Sequence, residues 1–266
     1  MVLSGNLNKM AVQLSDTVCY TIHLNHNSIL LNEYLGKQIK IVYAGEINCI
    51  KCGRKTSKSF SQGYCYPCFT TAPETEECVL RPELCRAHEG IARDMEFAKS
   101  HCLIDHYVYL ALTSAIKVGV TRNTQVPTRW IDQGATQAIF LAKTPNRNLA
   151  GQIEVALKDF LPDKTNWRNM LTGNITDNRS LEEVKTLVAE KLNSDFARYL
   201  SDDNTITKIR YPLLDTPQKV KSLNFDKDQV VEGILTGIKG QYLILDNTNV
   251  INIRKFGGYM VELDVF

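Results

Sequence analysis

Apolar and polar residues alternate through much of the first 48 positions. Tyr20-Thr21-Ile22-His23-Leu24 and Gln38-Ile39-Lys40-Ile41-Val42-Tyr43 change side-chain character along the run. A strand puts successive side chains on opposite faces, so this period predicts half-buried strands, with Gly36-Lys37 marking a turn. Between about residues 46 and 105 no long periodic run occurs; Cys, Gly and Pro dominate, and residues 70–77 read as a polar connector. Periodicity returns with Tyr107-Val108-Tyr109-Leu110-Ala111-Leu112 and Ile116-Lys117-Val118-Gly119-Val120-Thr121, joined by Thr113-Ser114-Ala115, a hairpin pattern. A short helix follows, with Pro127 near its start and Gly134 past its end. Residues 137–142 predict a third strand. Leu149, Ile153, Ala156, Leu157 and Phe160 form the stripe of a helix over 149–160.

Ser180-Leu181-Glu182-Glu183 is a capping box, opening a helix with Leu181, Val184, Leu187, Val188, Leu192 and Phe196 assigned to one face. The polar Ser201-Asp202-Asp203-Asn204 ends it. Four short strand patterns fill the rest, around Val231, Leu243, Ile251 and Val261, and predict a small barrel-like unit. Two N-terminal strands are marginal as a sheet of their own, so the two chain ends are expected to share it. The pattern as a whole predicts an α+β protein in five segments. These are an N-terminal β segment (1–48), a cysteine-rich module (49–105), a mixed domain (106–172), a helical segment (173–204) and a C-terminal β unit (205–266).

Composition narrows the function classes. The chain has 266 residues, 44% hydrophobic and 23% charged, which is ordinary for globular chains. No apolar run approaches the roughly 20 residues that span a bilayer, so no membrane partner is expected. The start, Met1-Val2-Leu3-Ser4-Gly5-Asn6, lacks a basic and then apolar leader, so a cytoplasmic location is expected. Net charge is only +2, so a nucleic-acid surface has to be a local patch.

Seven of the eight cysteines lie between Cys49 and Cys102. A chain of this length buries enough surface to fold without disulfides, and local clustering points to metal. Cys49-x2-Cys52 and Cys65-x2-Cys68 form two knuckles, the spacing of a tetrahedral thiolate site. Zinc is the expected ion, an iron–sulfur cluster the alternative; four sulfurs leave no open position, so the role is structural. Cys78, Cys85, His88 and Cys102 offer a second, less regular set, with His101 competing for the fourth place. Lys51, Arg54, Lys55 and Lys58 interleave with Phe60, Tyr64, Tyr66 and Phe69. Such a ribbon can contact phosphates and stack on bases, or it can simply solubilise a small metal module.

The hairpin has one apolar face and one bearing Tyr107, Tyr109, Lys117 and Gly119, followed by Arg129 on the short helix and Glu154 on the next. This order resembles the GIY-YIG nuclease superfamily over about residues 105–170. Val108-Tyr109 matches the end of the first motif, Lys117-Val118-Gly119 the second, Arg129 the arginine and Glu154 the metal-binding glutamate. The longer chain is similar to an uncharacterised bacterial family joining a four-cysteine zinc-binding segment to such a domain. The resemblance implies a small antiparallel sheet with helices and phosphodiester hydrolysis of DNA or RNA. Glu154 would hold Mg²⁺ or Mn²⁺, Arg129 would neutralise the phosphoryl oxygens, and Tyr109, helped by Tyr107, would orient or deprotonate water.

Residues 107–170 hold eight Lys or Arg against four Asp or Glu. Arg122, Lys143, Arg147 and Arg168 are the candidates for gripping the strand backbone. Lys117 stands where the family has tyrosine, and a protonated lysine is no base. The same residues therefore also support a module that binds nucleic acid or nucleotide without cutting, or a regulatory scaffold.

Overall fold

The computed structural model describes residues 2–162 and 164–266. In chain order its strands and α-helices begin with β1 (Val2–Asn6), β2 (Ala11–Gln13), β3 (Cys19–Leu24), β4 (Asn27–Leu30), β5 (Gln38–Asn48), β6 (Lys55–Thr56) and α1 (Tyr66–Thr71). There follow α2 (Met95–His101), β7 (His106–Leu112), β8 (Ile116–Arg122), α3 (Thr128–Asp132), β9 (Gln137–Thr144), α4 (Arg147–Ala156), α5 (Trp167–Thr172), α6 (Leu181–Ala189) and α7 (Ser194–Ala197). The last are β10 (Thr207–Lys208), β11 (Lys221–Ser222), β12 (Val230–Lys239), β13 (Tyr242–Leu245), β14 (Asn249–Asn252) and β15 (Tyr259–Val265). The class is α+β with several small sheets. Two compact units result: the chain up to Thr70 joined by Ile209–Phe266, and Thr71–Lys208. The cysteine-rich stretch 49–105 is therefore divided between them.

In the first unit the chain ends meet. β1 pairs antiparallel with β15, and β15 and β12 flank β5. Alternation drives this arrangement: Ile39 and Ile41 of β5 are fully buried with Val261 and Leu263 of β15, while Lys40 and Glu262 between them point away from that core. The sheet runs β1-β15-β5-β12-β13-β14-β11, with β6 on β5. It is open, ending at β1 and β11, so the expected barrel does not close. The reason lies in the last pairing: β11 is a two-residue strand parallel to β14, too short to carry the ladder round. β2, β3 and β4 form a separate three-stranded sheet that buries Tyr20, Ile22 and Leu24.

The second unit is built on the sheet β10-β9-β7-β8. β7 and β8 form an antiparallel hairpin in which Tyr109 stands opposite Gly119. One face carries Val108, Leu110, Ile116, Val118, Ile139 and Leu141 into a core closed by α4 and α6. α4 starts at the Asn146 cap, whose side chain accepts from the Leu149 N–H, and ends at Ala156 rather than continuing to 160. The capping box of α6 forms, with both reciprocal hydrogen bonds between Ser180 and Glu183. Leu187 is exposed, not part of the buried face; six residues beyond Leu181 it lies about 120° round the helix, off the buried stripe. Among the described residues no helix is long and apolar enough to cross a membrane.

Candidate functional site

In the first unit, Cys49 and Cys52 leave the end of β5 and Cys65 and Cys68 enter α1. Their four Sγ atoms lie within 4.8 Å of one another. Zinc–sulfur bonds of about 2.3 Å place tetrahedral ligands roughly 3.8 Å apart, and the Cys52 and Cys65 sulfurs are 3.8 Å apart. The loops are shaped for this by Gly53 at φ 70° and Gly63 at φ 143°. A side chain at Gly63 would strike Ile50. Burial opposes ionisation of Cys49, but the backbone N–H groups of Cys65, Cys52 and Lys51 outweigh it and lower its pKa to about 6. Burial and the neighbouring thiols push Cys68 up to about 12. The four-cysteine cluster can hold zinc.

Beside the knuckles, Phe60 packs on Tyr66 and Phe69 with ring centroids 5.5 and 5.7 Å apart. Lys58 sits over Phe60 at 5.3 Å, and Lys55 is ion-paired with Glu46 at 2.8 Å. A groove of about 660 Å³ opens here, lined among others by Lys58, Lys255, Tyr43, Tyr259 and Asp226.

In the second unit, Cys78, Cys85 and Cys102 bring three buried sulfurs together. This cluster too can hold zinc, but the expected histidine is not part of it. The 3-10 turn Ala87–Glu89 buries Ala87 and leaves His88 outside, 3.7 Å from Glu89. His101 stacks on Phe97 and its Nδ1 lies 2.9 Å from Ser100 Oγ. Hydrogen bonds from Cys102 and Cys78 and the charge of Arg147 favour the Cys85 thiolate, lowering its pKa to about 3, while those same thiol contacts push Cys102 up.

Lys117, Gly119, Arg129, Gln133 and Glu154 line one pocket of about 110 Å³, with Val79, Leu80 and Pro82 along its side. That is roughly the space of three or four waters. The elements involved come from both faces of the sheet: α4 packs on the apolar face, whereas Lys117 and Gly119 belong to the other. They can meet because β8 is an edge strand. Tyr109 lies behind the pocket, fully buried, its Oη donating to Gln133 Oε1 at 3.0 Å. Burial raises its pKa, with Glu154 adding to the effect and Arg129 opposing it. Tyr107 is elsewhere, packed on Phe140 with centroids 4.3 Å apart, in an aromatic row continued by Trp130.

The residues expected to grip a strand divide. Arg147 is buried at the start of α4, donating to the carbonyls of Cys78 and His101 at 3.4 and 3.3 Å, and its charge is committed to the thiol cluster. Arg122 is half-buried near Arg147, and burial lowers its pKa. Lys143 is paired with Asp105 at 2.8 Å. Arg168 lies over the Trp167 ring at 4.3 Å. None of these four is among the residues that line the pocket.

Residues 36–261 match the family described as protein of unknown function, DUF2797. The chain belongs to this family. Compared with curated proteins and with solved structures, it finds no match.

Three features of the site escaped the sequence reading: Gln133 as partner of Tyr109, the loop between Cys78 and Cys85 as a side of the pocket, and Arg147 against the thiols. Gln133 lies one residue past α3, four beyond Arg129, a spacing that places both on the same side of a helical turn. No local pattern marks the other two.

Proposed function

We propose that the protein acts on nucleic acid as a metal-dependent phosphodiesterase of the GIY-YIG type, with the Lys117, Arg129 and Glu154 pocket as its reaction centre and the four-cysteine zinc site as a structural staple. The observation that carries this reading is that these three charged residues, from β8, α3 and α4, line one small pocket with Gly119. Two cationic side chains beside one carboxylate suit a phosphodiester: Arg129 and Lys117 neutralise its non-bridging oxygens, the guanidinium with the better-shaped fork. A lone carboxylate is a minimal ligand for Mg²⁺ or Mn²⁺. It fits such an ion when a substrate phosphate and waters complete the shell, and Glu154 is the residue to hold it. When bound there, the ion would stabilise charge on the leaving oxygen.

Tyr109 does not suit the role of base in this reading. Its phenol is buried, kept protonated and occupied in donating to Gln133. It serves to hold the α3 end of the pocket in place. That same fact, with Lys117 in a tyrosine position, supports a second reading: a module that binds DNA, RNA or a nucleotide without cutting.

Fluorescently labelled DNA and RNA, single-stranded, duplex and branched, incubated with and without Mn²⁺, separate the two. Metal-dependent cutting that vanishes in Glu154→Ala supports the phosphodiesterase. Retention of the probes with no cutting on any of them replaces it with the binding module.

A further inference from the structure

The loop from Cys78 to Cys85 forms one wall of the pocket through Val79, Leu80 and Pro82. Little apolar burial secures it: Leu80 is 85% exposed and Val79 and Leu84 are also exposed. Its last turn, Pro82–Leu84, instead leans on α4. Gly151 leaves no room for a Cβ because the backbone of Pro82 and Glu83 occupies that space, and Asn148 Nδ2 donates to the Glu83 carbonyl at 2.8 Å. The loop begins and ends on cysteines that share one cluster with Cys102, which caps α2. The wall is thus hung between a helix surface and three sulfurs.

A second observation bears on those sulfurs. Arg147 as a whole is 9% exposed, and its Nη1 lies 4.0 Å from Cys78 Sγ. Among the described residues no carboxylate pairs with it. A buried guanidinium requires negative charge nearby, and thiolates are the groups placed to supply it. A divalent cation on three thiolates retains one surplus negative charge, which Arg147 offsets. His88 and His101 stand outside the group, so the fourth position of a tetrahedral ion falls to water or another small ligand.

We propose that Cys78, Cys85 and Cys102 bind a thiophilic divalent cation of the zinc class, and that this ion holds residues 79–84 as the pocket wall, making anion binding at Lys117 and Arg129 depend on it. The dependence on anion binding rests on reading the pocket as a phosphate site; the clasp itself does not. Thiolates select such cations over Mg²⁺ or Ca²⁺.

The test uses the full chain purified without added metal. Elemental analysis is expected to find two zinc ions per chain, one for each cysteine cluster, and one in Cys85→Ser. Hydrogen exchange across 79–84 is expected to become fast in that variant while β7, β8 and β9 keep their protection. Binding of inorganic phosphate, followed by calorimetry, is expected to weaken roughly 10–100-fold, the usual cost of losing a supporting contact around a site. Should Cys85→Ser not fold, graded chelation of the unaltered chain, read by the same exchange peptides, gives the answer. Unchanged zinc content in the variant, or exchange at 79–84 indifferent to metal removal, overturns the clasp. Absence of phosphate binding by the loaded, unaltered chain overturns the dependence, and with it the phosphate reading of the pocket, while the exchange result still decides the clasp.

Discussion

The ring of Tyr109 lies across Gly119 on the neighbouring strand. A Cβ added to Gly119 would stand 2.6 Å from the phenol oxygen and 2.7 Å from the carbon that bears it. A bare glycine at 119 is therefore a packing requirement of Tyr109. Because Tyr109 in turn holds Gln133, which lines the pocket with Arg129, the pair sets the back of the site.

Gly119→Ala is expected to push Tyr109 out of place and cost about 1–3 kcal/mol, the range for overpacking a filled core. Urea denaturation measures the loss. If the pocket binds phosphate as proposed, that binding should weaken in parallel in the folded fraction; stability and binding both at the level of the unaltered chain would show that the ring moves aside freely.

Tyr109→Phe keeps the ring and removes the hydroxyl that donates to Gln133. A stability loss of about 1 kcal/mol is expected, the net value of one hydrogen bond. If the protein cuts nucleic acid, its rate should fall by far less than the roughly 100-fold or more that removing a general base brings. A larger fall would return Tyr109 to the role of base.

Gly151→Ala sets two effects against each other. Alanine improves helix propensity by about 1 kcal/mol, but the added methyl meets backbone of Pro82 and Glu83, which cannot rotate away. The clash should win, giving a net loss of about 1–3 kcal/mol, together with faster hydrogen exchange at 79–84. A stabilised variant would show that the wall and α4 are not in fixed contact.

His106 predicts an acid limb in the stability curve. Its Nδ1 donates to the Ile104 carbonyl at 2.8 Å, and its Nε2 is buried without a partner. Burial lowers its pKa from 6.5 to about 4, with Arg147 and Arg122 adding to the effect and the Ile104 carbonyl and Asp105 opposing it. The unfolded chain therefore takes up a proton near pH 6.5 that the folded chain refuses until about pH 4. Stability is complete above pH 6.5 and falls as pH drops through that window, by on the order of 3 kcal/mol in total at about 1.4 kcal/mol per unit. In His106→Gln the decline between these pH values should be shallower; an identical slope would place the titrating group elsewhere.

Much of this molecule is written in short-range spacing. Paired cysteines with two residues between them, close to glycine, point to a cluster of sulfurs able to hold a metal, because ligand geometry constrains neighbours along the chain. The capping box at Ser180 and the alternation in β5, β7 and β8 are of the same kind: each expresses hydrogen bonding or burial within one turn or one pleat. Arg129 and Glu154 stood out by their order behind the hairpin, and the elements bearing them follow from local periodicity.

What tertiary structure alone decided is where separately folded segments meet. The exclusion of His88 from the second cluster, the burial of Arg147 against thiols, and the approach of Pro82 and Glu83 to Gly151 all depend on residues distant in sequence. No period or local propensity encodes such contacts. They arise because apolar faces must be covered and buried charges must be met, and only the assembled chain selects which partners do so.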